Sequence, residues 1–138
     1  MADRQTFHLE VISPERKFYE KDAWMVEFET TEGQVGVYAE HIPMTAIVVP
    51  GVLRIYEEEE VREAALLEGF VEILPDKIVI LSQACEWPEE IDINRAKEAK
   101  IRAERRIDSG DSDVNMTRAE LALRKSLIRL ELASGNKK

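Results

Sequence analysis

An antiparallel β-sandwich followed by an antiparallel two-helix hairpin is the fold predicted, and three observations predict it. Over the first 87 residues, turn signals recur about every 8–12 residues between short runs rich in β-branched side chains, the signature of a sandwich or barrel. After Trp87-Pro88 the period changes, and the chain becomes rich in the helix formers Ala, Lys, Glu and Arg. The charge changes at the same place. Residues 1–87 carry 18 acids and 7 bases, a net −11, whereas residues 88–138 carry 10 acids and 12 bases, a net +2. Two domains are therefore expected, 1–87 and 88–138.

The strands are read in order. Phe7-His8-Leu9-Glu10-Val11 alternates and stops at Ser13-Pro14. Trp24 to Glu29 follows and ends near Glu32-Gly33; Val35 to Tyr38 is cut off before Pro43. Met44–Val49 and Val52–Tyr56 flank the turn dipeptide Pro50-Gly51. Val61–Leu67 and Phe70–Leu74 flank Glu68-Gly69, and Ile78–Leu81 follows Pro75-Asp76. No helical period competes over this half.

A first helix is predicted from Asp92 to about Ile107 and a second from about Asn115 to Ala133, with Thr117 and Glu120 at capping-box spacing. Asp108-Ser109-Gly110-Asp111-Ser112-Asp113 is a loop by composition, short enough to make the pair a hairpin. At 100° per residue, Met116, Ala119, Leu123, Leu127 and Leu130 share a face of the second helix. The matching stripe on the first is thin: Ala96, Ala99, Ala103 and Ile107. An alanine face buries little area, so the hairpin is expected to be marginal alone and to move. Each helix also carries a basic stripe, Arg95, Arg102 and Arg106 on the first and Arg118, Lys125 and Arg129 on the second. The second stripe lies between two apolar edges, which suits an anion or an acidic partner better than a plain solvated face.

Several chemistries are disfavoured. An acidic front half repels phosphate backbones, so nucleic acid is not an expected partner. The longest apolar run, Thr45 to Val49, falls far short of the roughly 20 residues of a membrane span. The first residues, Met1-Ala2-Asp3-Arg4-Gln5, show no secretory signal, and one cysteine, Cys85, fits a reducing compartment. His8, His41 and Cys85 have no ligand spacing, which argues against a zinc site, and no metal is expected. No Gly-x-Ser-x-Gly, Walker A or Gly-x-Gly-x-x-Gly pattern occurs. Glu57 to Glu60 reads as a solvated hairpin turn, His41 as a loop hydrogen-bonder and Cys85 as structural. The chain is not expected to be an enzyme by itself.

The same residues carry a resemblance. Leu9-Glu10-Val11-Ile12-Ser13-Pro14-Glu15, Glu32-Gly33-Gln34-Val35-Gly36-Val37, His41-Ile42-Pro43 and Pro50-Gly51-Val52-Leu53-Arg54-Ile55 come in that order. Gly69 to Ile73, Pro75 to Leu81, Ile91-Asp92-Ile93-Asn94-Arg95-Ala96 and Arg118-Ala119-Glu120-Leu121-Ala122 complete the set. Along nearly its whole length the chain resembles the epsilon subunits of bacterial and chloroplast F-type ATP synthases. Two positions depart from that pattern: Tyr38-Ala39-Glu40 stands where a Leu-Pro-Gly-like turn is frequent, and Glu68 replaces a glycine before Gly69.

The resemblance implies a ten-stranded sandwich and a mobile helical domain in the central stalk. The implied partners are the gamma subunit, the c-ring and, through an extended hairpin, the alpha and beta subunits. It implies a peripheral membrane protein on the cytoplasmic face of the plasma membrane, or the stromal thylakoid face, without insertion into the bilayer. The implied role is to couple proton-driven rotation to synthesis and to restrain ATP hydrolysis, without catalysis of its own. No cofactor is required, but ATP is implied as a regulatory ligand of the folded hairpin, held by Glu86, Asp92, Arg95, Ala96, Lys125 and Arg129. Partner contacts are implied for Glu32, Gly33, His41 and Pro43 on the sandwich and for Arg118, Arg124, Lys125 and Arg129 on the second helix. An unrelated acidic β-sandwich adaptor with a protein-binding hairpin would explain the charge split, but not the ordered motifs.

Overall fold

The computed structural model describes residues 4–111 and 115–135. The N-terminal Met1-Ala2-Asp3 and, in the predicted loop, Ser112 and Asp113 lie outside the described residues. Ten strands come first: β1 (Phe7–Ile12), β2 (Lys17–Ala23), β3 (Met25–Thr30), β4 (Gly33–Tyr38), β5 (Met44–Val48), β6 (Gly51–Tyr56), β7 (Val61–Leu66), β8 (Gly69–Ile73), β9 (Lys77–Ser82) and β10 (Cys85–Glu86). A 3-10 turn (Pro88–Glu90), α1 (Ile93–Asp108) and α2 (Met116–Gly135) follow. The chain divides into two compact units, Met1–Glu86 and Trp87–Lys138.

In the first unit β3 is the junction. One of its edges is paired along its length by β4, from Met25↔Tyr38 to Thr30↔Gly33. Its other edge is shared end to end by β6, at Met25↔Tyr56 to Glu27↔Arg54, and by β5, at Thr30↔Val48. From β6 the ladder continues through β7 to β10, and from β5 through β8, β9 and β1 to β2. Every pair is antiparallel except β1 with β9, which run parallel from His8↔Lys77 to Ile12↔Leu81. The period-2 pattern turns Phe7, Leu9 and Val11, Leu53 and Ile55, Val71 and Ile73, and Ile78 and Ile80 inward, all buried. Phe28, 1% exposed, is the largest of the fully buried side chains.

Two strands were not legible as such. β2, Lys-Phe-Tyr-Glu-Lys-Asp-Ala, buries Phe18, Tyr19 and Ala23 but exposes its charged residues without strict alternation. Among the described residues it pairs only β1, with a register shift at Val11/Ile12, as an outer strand with charges against edge-to-edge association. β10 is two residues long and pairs Leu66 and Ala65 of β7. The glutamate turn holds more than solvent: Glu57 N–H donates to Glu60 O at 2.9 Å, its carboxylate accepts from Tyr19 Oη at 2.5 Å, and its carbonyl accepts from Trp24 Nε1 at 3.0 Å. Glu40 takes φ 63°, so a non-glycine residue here adopts the left-handed conformation of a glycine-type turn.

In the second unit α1 and α2 pack on each other, and α2 also packs on the 3-10 turn. Asn115, not Thr117, caps α2: its Oδ1 accepts from Arg118 N–H at 3.1 Å. The buried positions are Ala96 and Ala103 on α1, and Ala119, Ser126, Leu132 and Ala133 on α2. Ala96/Ala103 and Ala119/Ser126/Ala133 repeat every seven residues, which keeps a nearly straight line down a helix. Along that line the seam is made of small residues on both sides, and Leu132 is the large side chain of α2 buried off it. Met116 and Leu127, expected on the packing face, are each 45% exposed, because the small-residue line runs about 60–120° from them.

A basic helical hairpin and two sandwich surfaces

Asp92 is the N-cap of α1. Its Oδ1 accepts from Arg95 N–H at 3.1 Å, and its charge sits at the positive end of the helix dipole. Trp87 N–H donates to Glu90 Oε1 at 2.9 Å, which closes the 3-10 turn just ahead of it. Ala96 is 3% exposed, so its methyl belongs to buried packing and presents nothing to a solvent-side ligand. Arg95 is exposed one turn from Asp92, while Lys125 and Arg129 are half-buried one turn apart on α2. Glu86 ends β10 and belongs to the first unit, whereas the other proposed nucleotide-site residues belong to the second.

Measured from the buried seam, Arg95, Arg102 and Arg106 lie about 80–120° round α1, and Arg118, Lys125 and Arg129 lie at the same offset round α2. In an antiparallel pair, equal offsets of equal hand fall on the same side. Both basic stripes therefore line one side of the hairpin, six cations along two neighbouring helices. The packing of α2 on the 3-10 turn sets the last turns of α2 beside the first turn of α1, where Asp92 and Arg95 stand. Such a surface can hold an oxyanion with guanidinium forks or receive a row of carboxylates.

On the sandwich, Glu32 and Gly33 form the β3–β4 turn. Thr30 Oγ1 donates to Gly33 O at 2.8 Å and accepts from Glu32 N–H at 3.0 Å, and Gly33 takes φ 110°, which favours glycine. His41 and Pro43 lie in the β4–β5 connection, where His41 Nδ1 stands 2.8 Å from Ile42 O and Ile42 is 78% exposed. Tyr38 pairs Met25 at one end of β3, whereas Val48 pairs Thr30 at the other. Residues 39–43 therefore run back along the hairpin, toward the end that carries Glu32 and Gly33.

Two surface features went unread. Ile47↔Phe70, Phe70↔Leu81 and Leu81↔Ile12 are successive cross-strand pairs. Ile47, Phe70 and Leu81 are 60%, 47% and 36% exposed, so an apolar row crosses the outer face of β5, β8 and β9 and ends at Ile12 of β1. With Pro14 and Gly69 it borders an open groove of about 460 Å³. The signal was available: β5, β8 and β9 each carry large apolar residues at both parities. Beside that row the face turns polar. His8 Nε2 lies 2.9 Å from Glu20 Oε2 and 3.4 Å from Glu10 Oε2, with Lys17 and Lys77 on the same carboxylates. Glu20 holds His8 above its ordinary range, and Lys17, then His8, hold Glu20 down to about 2. Cys85 is buried, and burial pushes its thiol up to about 11, which makes it a poor nucleophile.

A β-sandwich unit joined to a helical unit with one strongly basic side defines a class of two-part proteins, and among the described residues no helix is long and apolar enough to cross a membrane. Residues 6–88 match the family model of the ATP synthase delta/epsilon chain β-sandwich domain, and residues 89–134 that of its long α-helix domain. The chain belongs to the ATP synthase delta/epsilon chain family, on its epsilon side. It is 47% identical to the ATP synthase epsilon chain of Caldanaerobacter subterraneus over 94% of this chain and 95% of that one. It is 46% identical to the ATP synthase epsilon chain of Ruminiclostridium cellulolyticum over 91% and 93%. The fold is similar to a chain of the Euglena gracilis mitochondrial ATP synthase OSCP/F1/c-ring structure, with TM-score 0.80 and 23% identity over 94% of this chain and 81% of that chain. It is also similar to a chain of the Tetrahymena thermophila ATP synthase central stalk/c-ring structure, with TM-score 0.59 and 14% identity over 98% of each.

Proposed function

We propose that this epsilon-type subunit couples rotation of a central stalk to ATP synthesis and restrains hydrolysis through its helical hairpin, with ATP as the signal that holds the hairpin compact. The carrying observation is the alignment of both basic stripes on one side of a hairpin whose seam is small residues. A seam of alanine and serine buries little apolar area, so the packed and extended states differ little in energy. A ligand that bridges both helices then stabilises the packed state by mass action. In this reading the unit that starts at Trp87 is a separate regulatory domain, and neither unit is catalytic.

The sandwich binds the gamma subunit and the c-ring, peripheral to the membrane on its cytoplasmic or stromal face. Its turn residues Glu32, Gly33, His41 and Pro43 meet the ring, and its outer apolar row offers a dry surface to the stalk. Arg118, Arg124, Lys125 and Arg129 of an extended hairpin meet carboxylates of the alpha and beta subunits. Replacing these four with alanine in the assembled ATPase is expected to raise hydrolysis about tenfold, equivalent to about 1.4 kcal/mol of lost contact. Steady-state hydrolysis with assembly checked by co-purification measures it, and an unchanged rate removes the stripe from the mechanism.

For the signal, Arg95 and Arg129 donate to phosphates, Lys125 adds a point charge, and Asp92 accepts from the adenine amino group. Calorimetry on the isolated subunit should show ATP binding, weakened about tenfold by Arg95→Ala. Lys125→Arg should tighten it, because the guanidinium fork fits an oxyanion better than an ammonium. Asp92→Ala also removes the α1 cap at about 1 kcal/mol, so the arginine and lysine variants isolate the ligand effect. No heat from the unaltered chain at saturating ATP, or equal binding by Arg95→Ala, ends the sensor reading.

A further inference from the structure

We propose that His8 Nε2, Glu10 and Glu20 form a zinc site on the outer face of β1 and β2, with His8 oriented by Asp22. The linear sequence gives no hint of it, because the ligands are brought together by pairing. His8 and Glu10 are two apart on β1 and share a face, while the β1–β2 register sets Asp22 opposite His8 and Glu20 opposite Glu10.

The three donor atoms lie within 4.8 Å of one another, with His8 Nε2 at 2.9 Å from Glu20 Oε2 and 3.4 Å from Glu10 Oε2. Ligands bound tetrahedrally at about 2.1 Å from zinc stand about 3.4 Å apart, so small rotations of these side chains suffice. Asp22 Oδ1 lies 3.5 Å from His8 Nδ1, the ring nitrogen that faces away from the carboxylate pair. A carboxylate behind a histidine fixes its tautomer and aims the other nitrogen, the usual support of a zinc-bound imidazole.

The two lysines refine the picture. Lys17 Nζ takes Glu20 Oε1 at 2.9 Å and leaves Oε2 directed at His8. Lys77 Nζ instead lies 3.4 Å from Glu10 Oε2, the oxygen that faces the histidine, and competes with a metal for it. Glu10 is the least exposed of the three ligands, its side chain 14% accessible. One imidazole and two carboxylates suit zinc, whereas magnesium and calcium favour all-oxygen sets. A fourth position is left for water. Since among the described residues β2 pairs only β1, the ion would fasten an outer strand to the sandwich.

Zinc titrated into the untagged full chain, followed by calorimetry and thermal melting, tests the proposal. One zinc per chain and a raised melting temperature are expected. His8→Ala should abolish binding, and Asp22→Asn should weaken it by about 10–100-fold. His41→Ala, the other histidine, should leave it unchanged. Lys77→Met should tighten binding by removing the competing ammonium, an effect that misfolding cannot mimic. No zinc uptake by the unaltered chain, retention by His8→Ala, loss in His41→Ala, or no tightening by Lys77→Met overturns the site.

Discussion

Phe28→Ala is expected to lower the stability of the sandwich by about 3–5 kcal/mol, the range for deleting a buried aromatic ring. Phe28 is 1% exposed on β3, opposite Val35 of β4, on the strand that joins both halves of the ladder. A void there is flanked by strands on both edges of β3 and cannot collapse without moving them. Typical domains are stable by only about 5–15 kcal/mol, so the loss takes a large share. Urea unfolding should show a lower midpoint at an unchanged slope. A loss below about 1 kcal/mol, the size of a typical surface change, would mean that β3 does not hold the core together.

Gly69→Ala is expected to be nearly as severe, for a different reason. A Cβ at position 69 would stand 1.9 Å from Leu81 O and 2.8 Å from Ser82 Cα. These are backbone atoms of β9 and cannot rotate away. β8 must therefore separate from β9, breaking the ladder at Gly69↔Ser82. Overpacking costs about 1–3 kcal/mol and more where the backbone must shift. At about 3 kcal/mol the melting temperature falls by roughly 15 °C. A fall of under about 4 °C, worth less than one kcal/mol, would show that the strands yield easily.

What the sequence made legible follows from how local each signal is. β1 and β3 to β9 announce themselves as short apolar or β-branched runs between turn residues, and α1 by its composition and its start at Asp92, which the structure shows to be the N-cap. β2 hides because its burial pattern is set by an outer-strand position and a register shift, not by period two. The α2 seam was misplaced because large apolar residues draw attention, whereas an alanine face on α1 selects small partners, Ala119, Ser126 and Ala133. The two basic stripes, with Arg95 and Arg129 among them, could be read from helical spacing, yet their shared side emerges only once the seam is known. His8, Glu10 and Glu20 were the least visible: their proximity exists only in the register of β1 with β2.

The parallel pairing of β1 with β9 also dictates an order of events during synthesis. His8 meets Lys77 and Ile12 meets Leu81, partners 69 residues apart in the chain. The first strand emerges from the ribosome long before β9 exists, and until then it can hold only β2. At about 5–20 residues per second, several seconds pass before the ladder can close. During that interval the inner face of β1, with Phe7, Leu9 and Val11, is open to other chains, and contacts of such long separation form slowly. The helices, whose contacts are local, need no such wait. The slow, aggregation-exposed step in making this protein is therefore closure of the sandwich, and it cannot begin until residue 81 has cleared the exit tunnel.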